Sequence, residues 1–337
     1  MVTLKDIARE LNLSYSTVSL CLSSSPRVSA KTMELVKETA RRMGYAPNAR
    51  ARAFVNRQTR LIGIVVPDIA NPFFSAITRG AEAAATERDF RVLILNTDRR
   101  VDLETRHIRL ISEGQVDGLL VTSIHTRSAT LDTILAQNHP VVFVNNPYPS
   151  TEVSFVGSDG FATGRLAADH LIGLGHRAIA VCGVENETEF QRQLMAGFLQ
   201  SLADHEIEWS TTNRVDGRFS VESGYESGMQ IVERLSDCTA VFAFDDLIAL
   251  GVMRALEENG RRVPEDVSLV GCDDIFLSSL PRISLTTVRQ QTNEMGRIAM
   301  SMLLDEIVGA GAQPTIRNRQ IILPSELVIR NSTASVD

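Results

Sequence analysis

A short segment near the N-terminus carries hydrogen-bonding side chains in a spacing that suits contact with nucleic acid. If 15–22 forms a helix, Val18 and Leu22 fall on its inner face. The side chains that then face outward are Tyr15, Ser16, Ser19 and Leu20. Hydroxyl groups can donate to or accept from base edges and phosphate oxygens, whereas a leucine offers apolar contact alone. Such a face suits a groove of duplex DNA.

Two further helices are predicted to hold this segment in place. Thr3 and Asp6 have the spacing of a capping box, and the apolar residues behind them recur at helical intervals: Leu4, Ile7, Ala8 and Leu11. Asn12 tolerates the left-handed backbone of a tight turn, and Ser14 can cap the second helix. A third helix over about 29–43 would close the small core. Short helices joined by a tight turn are typical of a helix-turn-helix unit.

Charge is divided unevenly along the chain. Residues 1–60 hold eleven Lys and Arg against four Asp and Glu, a net charge of +7, although the whole chain has a net charge of −7. The remaining 277 residues therefore carry −14. A basic head on an acidic body indicates that phosphate binding is confined to one end of the chain. The alternative is a basic helical surface that has no nucleic-acid partner.

After residue 60, short apolar runs alternate with amphipathic stretches. Runs of Val, Ile and Leu are typical of parallel strands that helices cover on both faces. We predict strands at 61–67, 90–97, 118–123, 140–146, 154–159, 178–183, 240–246, 267–274 and 284–290. These are too many for one doubly wound unit, so we expect an α/β fold of two lobes with a cleft. Polar residues end several runs, where open sheets bind ligands: Asp68, Asn96, Ser123, Asn145, Asp159, Asp245 and Asp273.

The sequence lacks patterns typical of an enzyme, a metal site or a membrane span. It has no Gly-rich phosphate loop and no G-x-S-x-G elbow, and its six histidines are scattered. Its apolar runs are too short to cross a bilayer, and its four distant cysteines favour reduced thiols in a cytoplasmic protein. Gly173-x-Gly175-x-x-Ala178 resembles a dinucleotide fingerprint, but it follows a predicted helix, which favours a C-cap. We therefore expect no catalytic residue, cofactor or metal.

The chain resembles the lactose-repressor/galactose-repressor (LacI/GalR) family of bacterial transcription regulators over about residues 2–330. The motifs that carry the resemblance are TLKDIARELNLSYSTVSLCL, RVSAKTMELVKETARRMGYAPNARARAF, IGIVVPDIANPFFSAITRGAE, VDGLLV, HLIGLGHRAIAVCG, VPEDVSLVGCDD and LTTVRQQTNEMG. The family implies a periplasmic-binding-protein-like core of two doubly wound parallel-sheet subdomains, behind an all-α helix-turn-helix domain. The implied boundaries are 1–47 for the head, 48–60 for the hinge, 61–337 for the core, 61–160 with 290–320 for the first subdomain, and 161–289 with 321–330 for the second.

The resemblance also assigns the DNA contacts by position. Tyr15, Ser16 and Leu20 would face base edges in the major groove, where Leu20 suits a thymine methyl group. Phosphate contacts would come from Thr17, Ser19 and the amide of Asn48, and further DNA contacts from Thr3 and Arg52. Relatives often have a polar or charged residue where this chain has Leu20. The alternative for Leu20 is that it packs inward as part of the core.

The segment 48–57 resembles the hinge helix of the family. A helix of this length is marginal alone in water, so we expect it to order on the operator, paired with its dimer mate. Most relatives have a leucine where this chain has Phe54, and that leucine wedges into the minor groove. A phenylalanine can also unstack a base step and kink the duplex. The alternative is that Phe54 packs onto the first strand of the core.

For the cleft, the resemblance implies effector contacts from Asn71, Phe73, Phe74, Ser123, Asp159, Arg192, Phe219, Asp245, Asp273 and Gln290. Carboxylates that accept hydrogen bonds, an arginine fork and aromatic faces together suit a polyhydroxylated ligand. Asp245 stands where relatives usually have asparagine, and Leu194 stands where they often have arginine. Arg192 can replace that arginine, or the ligand lacks the group that the arginine binds. The alternative for each aspartate is a helix N-cap.

These observations predict a ligand-responsive transcriptional repressor that binds a palindromic operator on double-stranded DNA as a homodimer. Its effector in the cleft would be a sugar or a sugar derivative. The alternative is a regulator of the same family that responds to a protein co-regulator or to a non-sugar ligand such as a purine. A membrane partner is not expected.

Overall fold

The computed structural model describes residues 2–22, 27–45, 58–122, 128–149, 153–309 and 318–336. The chain forms two compact units, residues 1–59 and residues 60–337. Four of the expected site residues lie outside the described residues: Asn48, Arg52, Phe54 and Ser123. The same holds for the predicted hinge helix at 48–57.

The first unit contains the three predicted helices, here α1 (Leu4–Glu10), α2 (Tyr15–Leu22) and α3 (Ala30–Arg42). The caps of α1 and α2 are those that the sequence predicts. The backbone N–H of Thr3 donates to Asp6 Oδ2 at 2.9 Å, and Ser14 Oγ accepts from the backbone N–H of Thr17 at 3.1 Å. Ser29 Oγ caps α3 by accepting from the N–H of Thr32 at 3.2 Å.

A tight turn and a small apolar core fix the angle between these helices. Asn12 adopts the left-handed conformation (φ 52°) that the turn after α1 requires. The buried core consists of Ile7, Ala8, Val18, Cys21, Val36 and Ala40. Because each helix contributes to this core, the predicted helix-turn-helix arrangement is confirmed within the described residues.

The second unit contains two six-stranded sheets, each of which forms one lobe. The first sheet has the order β11-β5-β4-β3-β1-β2, and all of its strands are parallel. Its strands are β1 (Leu61–Val66), β2 (Arg91–Asn96), β3 (Gly118–Val121), β4 (Val141–Val144), β5 (Ser154–Ser158) and β11 (Gln320–Leu323). The helices of this lobe are α4 (Pro72–Glu87), α5 (Val101–Ile108), α6 (Ala129–Ala136) and α11 (Thr292–Gly309).

The second sheet has the order β12-β10-β9-β8-β6-β7, and only its edge strand β12 is antiparallel to its neighbour. Its strands are β6 (Ile179–Val184), β7 (Arg214–Gly217), β8 (Ala240–Ala243), β9 (Ser268–Asp273), β10 (Thr286–Arg289) and β12 (Glu326–Val328). The helices of this lobe are α7 (Gly160–Gly173), α8 (Glu189–Asp204), α9 (Val221–Arg234) and α10 (Asp246–Glu258).

Both faces of the first sheet are buried, as a doubly wound lobe requires. Along β1, Ile62, Ile64 and Val66 pack into a core with residues of α4 and α11, whereas Val65 packs on the opposite face with residues of α5 and α6. Successive side chains of a strand point to opposite faces, so a run of apolar residues is what such a strand needs. The predicted α/β fold of two parallel-sheet lobes is confirmed.

The sequence analysis missed three strands, and all three are sheet edges. β7 buries one of its four residues, while β11 and β12 bury none. An edge strand faces solvent along one side, so it does not need the continuous apolar run on which the prediction relied. Because β11 pairs with β5, the first lobe extends to Leu323, and the expected return to the second lobe at 320 is three residues too early.

The glycine pair near the end of α7 supports a C-cap. Leu174 is the C-cap residue, and Gly175 follows it with φ 94°, a left-handed conformation that favours glycine. β6 begins only after this turn, at Ile179. The segment therefore ends a helix and is not a dinucleotide fingerprint.

Candidate functional site

The carboxyl ends of the strands in the two lobes border a cavity, here called the inner cavity. Seven of the ten expected effector contacts line it, and they are Asn71, Phe73, Phe74, Phe219, Asp245, Asp273 and Gln290. The other lining residues are Arg99, Asn145, Asn146, Thr188, Phe190, Gln191 and Phe244. Polar groups and aromatic rings therefore face each other across the cavity.

The first lobe contributes a helix start and a strand end to this cavity. Asn71 Oδ1 accepts from the backbone N–H of Phe73 at 2.9 Å and so caps α4, which begins with Pro72. This cap fixes Phe73 and Phe74 at the start of the helix, where their rings pack edge to face with centroids 5.1 Å apart. Asn145 follows β4 directly, in the left-handed conformation (φ 67°) that asparagine tolerates.

The second lobe contributes the ends of three adjacent strands. Asp245 follows β8, Asp273 ends β9 and Gln290 follows β10, and these strands are neighbours in the sheet. Gln290 Nε2 donates to Asp273 Oδ1 at 2.7 Å. Asp245 Oδ1 accepts from the backbone N–H of Ile248 at 2.7 Å, which makes it the N-cap of α10. Asp245 is therefore a cap and a cavity residue at once.

Burial raises the pKa of both cavity carboxyls. The pKa of Asp245 rises to about 6, because its ionised form is removed from water, and the charge of Arg99 opposes that rise. The pKa of Asp273 also rises well above its ordinary value, first through burial and then through the negative charges of Asp245 and Asp246. The inner cavity thus keeps two carboxyls in surroundings that disfavour their charge.

The adjacent residue Asp246 has a different role. It is fully buried and accepts hydrogen bonds from the backbone N–H of Ile275, the hydroxyl of Ser278 and the hydroxyl of Thr287, at 2.9, 2.7 and 2.6 Å. Burial raises its pKa to about 7. Its carboxyl connects the start of α10 to the segments after β9 and in β10. Asp246 is therefore a structural group.

Three buried oxygen atoms on the inner cavity have no hydrogen-bond partner among the described residues. They are Asn145 Oδ1, Asp245 Oδ2 and Gln290 Oε1. Buried polar atoms are normally paired, and leaving one unpaired costs about 1–3 kcal/mol. All three atoms can accept a hydrogen bond. The cavity is therefore prepared for a ligand that donates hydrogen bonds.

Arg99 is one of several cavity residues that the sequence did not predict. It lies in the turn after β2, and its guanidinium sits over the ring of Phe219 with 4.6 Å between the guanidinium carbon and the ring centroid. This cation–π contact joins the first lobe to the second. Burial lowers the pKa of Arg99, while the charges of Asp245 and Asp68 raise it. The strand-end rule that selected Asn96 would have found Arg99 if it had been extended by three residues.

Two expected contacts lie elsewhere. Arg192 lines a wider outer cavity, where its side chain donates to Glu189 Oε2 at 2.7 Å and to the carbonyl of Glu187 at 3.0 Å. Asp159 is exposed and caps α7 by accepting from the backbone N–H of Ala162 at 2.9 Å, and it lines neither cavity. For Asp159 the structure shows the helix cap that was its alternative.

In the head, α2 presents the expected DNA contacts at its surface. Tyr15 has 53% of its surface exposed and Ser16 is exposed, whereas Thr17, Ser19 and Leu20 are half-buried. Leu20 is half-buried and is not among the side chains that form or pack against the described core of the head. Ser14 Oγ lies within hydrogen-bond distance of Ser16 Oγ and Thr17 Oγ1, at 2.9 and 2.8 Å.

The described residues include no helix long and apolar enough to cross a membrane. In the same part of the chain, no group of three or more His, Cys, Asp or Glu side chains is arranged to hold a metal ion. All four cysteines, Cys21, Cys182, Cys238 and Cys272, are buried and unpaired with one another.

Comparison with known proteins gives consistent results for both units. The model of bacterial regulatory proteins of the lacI family matches residues 3–48, and the model of a periplasmic binding protein-like domain matches residues 168–333. The HTH-type transcriptional regulator DegA of Bacillus subtilis is 31% identical over 339 residues, which cover 99% of each chain.

Two solved structures are similar to the chain over nearly its whole length. A complex of the transcriptional regulator CelR with cellobiose is 30% identical, with a TM-score of 0.75 over 98% of this chain and 100% of that chain. A lac repressor dimer bound to operator and the anti-inducer ONPF is 28% identical, with a TM-score of 0.86 over 99% of both chains. The chain therefore belongs to the LacI family of DNA-binding transcriptional regulators and is not an enzyme.

Proposed function

We propose that this regulator binds a palindromic operator as a homodimer, and that a hydroxyl-rich small molecule in the inner cavity changes its affinity for that operator. The observation that carries this proposal is the set of buried acceptor atoms on the cavity, namely Asn145 Oδ1, Asp245 Oδ2 and Gln290 Oε1. Two identical heads require a site with twofold symmetry. The similar lac repressor structure is a dimer on its operator, which supports this assembly.

For DNA recognition, the exposed side of α2 supports direct reading of base edges. Tyr15 and Ser16 can exchange hydrogen bonds with bases, and Leu20 can contact a thymine methyl group. Thr17, Ser19 and Thr3 stay as proposed positioning contacts to the backbone. The resemblance to the family further assigns Asn48, Arg52 and the wedge residue Phe54 to the operator, and these assignments are part of the proposal.

For effector binding, the cavity chemistry supports a sugar or a sugar derivative. Aromatic rings such as Phe73 and Phe219 offer flat apolar faces to a sugar ring, and the unpaired oxygens accept from its hydroxyls. The similar regulator CelR has been solved with cellobiose. Ligand contacts from both lobes favour one arrangement of the lobes, and this difference in affinity is what shifts operator binding, by about 1–3 kcal/mol.

The test is selection of bound duplexes from a random DNA library by the full chain, followed by fluorescence anisotropy on the selected site with a panel of sugars. We expect enrichment of sequences with twofold symmetry and a shift of the dissociation constant by about 5-fold or more with a binding sugar. If every sugar and purine leaves operator affinity unchanged while operator binding is intact, a protein co-regulator replaces the small-molecule effector. Absence of any symmetric site would contradict the proposal.

A further inference from the structure

We propose that the effector carries a protonated amine that Asp245 and Asp273 bind, so that it is an amino sugar or an amino polyol and not a neutral sugar. This inference rests on the proposed function, since it names the chemical class of ligand for the same cavity. It follows from the charge of the cavity, the kind of atoms left unpaired, the aromatic rings and the residue type at position 245.

Charge is the first argument. Two carboxyls, Asp245 and Asp273, line the inner cavity, and Arg99 is the sole Lys or Arg among the described residues that line it. Asp245 and Asp273 are 2% and 9% exposed, and burial raises the pKa of both carboxyls, so their charged forms are disfavoured unless a cation lies beside them. With both carboxyls ionised, Arg99 balances one of the two negative charges, and a net charge of −1 is left. A buried charge needs an opposite partner. A ligand with one positive charge supplies that partner.

The unpaired atoms are the second argument. Asn145 Oδ1, Asp245 Oδ2 and Gln290 Oε1 are all acceptors, and their residues are 5%, 2% and 3% exposed. The side-chain amide of Gln290 already donates a hydrogen bond to Asp273. A hydroxyl group both donates and accepts, whereas an ammonium group has three donors and no acceptor. The pattern of unpaired acceptors therefore suits an ammonium group.

The residue type at position 245 is the third argument. Asp245 caps α10 through Oδ1 alone, and an asparagine could make the same hydrogen bond, because Asn and Asp are equally good caps. The helix cap therefore needs neither the negative charge nor the second oxygen. Asp246 shows the contrast, since both of its oxygens are hydrogen-bonded within the protein. A cationic ligand accounts for the negative charge and the unpaired second oxygen of Asp245.

Aromatic rings are the fourth argument. Five rings line the inner cavity: Phe73, Phe74, Phe190, Phe219 and Phe244. Aromatic faces attract cations, and recognition of ligand amines commonly uses them. Phe219 already carries a cation on its face in this structure, the guanidinium of Arg99. The cavity thus combines carboxylates and ring faces, the two groups that stabilise an ammonium ion.

Titration calorimetry of the full chain with matched ligands tests the inference. The probes are D-glucosamine, D-galactosamine, D-mannosamine and 6-amino-6-deoxy-D-glucose, each compared with its neutral parent sugar and with the N-acetylated amine. We expect at least one amine to bind about 10-fold or more tightly than its parent and its N-acetyl form. In Asp245→Asn this preference is expected to fall below about 2-fold, because the cap remains and the charge is gone.

Two controls make the outcome decisive. Asp102→Asn removes an exposed carboxylate in the first turn of α5, outside both cavities, and should leave the preference unchanged. Thermal unfolding of Asp245→Asn without ligand checks that the variant is folded. Equal binding of amine and parent sugar by the wild type would overturn the amine assignment and leave the proposed function intact. If no sugar binds while operator binding stays intact, the proposed effector itself is overturned.

Discussion

The head and the inner cavity are built in opposite ways. In the head, the proposed reading side chains lie within six residues on α2, and they are exposed or half-buried on a helix fixed by local caps. On the cavity, the polar side chains come from positions as distant as Asn71 and Gln290, and all of them except the half-buried Arg99 are buried. Local pattern therefore builds the first surface, whereas topology builds the second.

The two regions also differ in how the stability of their units depends on single buried residues. Among the described residues, the core of the head has six buried apolar side chains, so its stability depends on each of them. The cavity lies in a larger unit that has separate cores on its sheets and keeps unpaired buried oxygens. A large unit can carry such unfavourable groups at a binding site, because stability and binding need not use the same residues. Mutations should therefore affect the two units separately.

The largest expected effect is on the second unit. Asp246→Ala removes the acceptor for three buried donors, on Ile275, Ser278 and Thr287, and should lower its free energy of unfolding by about 4 kcal/mol. Urea unfolding followed by circular dichroism measures this loss. Asp102→Asn, an exposed carboxylate, is the control. A loss below about 1 kcal/mol would mean that these hydrogen bonds do not hold the segments together.

In the head, Ile7→Ala should lower the free energy of unfolding of that unit by about 3 kcal/mol, because Ile7 is fully buried. Operator binding should then fall by about 100-fold, while ligand binding by calorimetry stays within about 2-fold. Both readouts come from the same preparation of the full chain. If ligand affinity fell together with DNA binding, the two units would not be as separate as their compact cores indicate.

The cavity carboxyl Asp245 predicts a pH dependence without ligand. Its folded pKa of about 6 lies above its ordinary value of 3.8, so the folded state binds this proton more tightly than the unfolded state. The stabilisation is present at low pH and is lost as the pH rises through about 6. Relative to Asp245→Asn, the wild type should lose up to about 3 kcal/mol between pH 4 and pH 7. A constant difference in the urea midpoints would contradict this.

The charged groups that act on Asp245 are Arg99, Asp246 and Asp273. Since Asp246 and Asp273 also titrate, the comparison with Asp245→Asn isolates the contribution of one carboxyl. Asp102→Asn again serves as the control, because Asp102 is exposed. The hydrogen bond with Arg100 lowers the pKa of Asp102, whereas burial raises the pKa of Asp245.

The smallest expected effect is at Asp159, which the family resemblance assigns to the effector site and which lines neither cavity in the structure. Asp159→Asn keeps a side chain that can cap α7 and removes a charge outside both cavities. Effector affinity should therefore change by less than about 2-fold. A loss of about 10-fold in calorimetry would show that Asp159 contacts the ligand after all, as the resemblance to the family implies.

The sequence alone predicts the head almost completely, because its information is local. The capping pair Thr3 and Asp6, the turn at Asn12 and the cap at Ser14 each act within a few residues. The buried strands are equally visible as apolar runs. The edge strands are not, since an edge such as β7 buries one residue of four and has little apolar pattern.

The cavity could be predicted only in part. Strand ends pointed to Asp245 and Asp273, and the family resemblance added Asn71 and Gln290. The sequence does not show that Asp245 and Asp246 have different roles, because they are adjacent and of the same type. Their difference arises from the packing of distant segments, which pairs both oxygens of Asp246 and leaves Asp245 Oδ2 without a partner among the described residues.

Fluorescence anisotropy on the selected duplex, with and without the tightest-binding ligand, measures ligand control of operator binding. We expect a duplex with twofold symmetry, bound by two chains, whose dissociation constant changes by about 5-fold or more when ligand fills the cavity. Binding that ignores the symmetry of the duplex and stays the same at saturating ligand would contradict it.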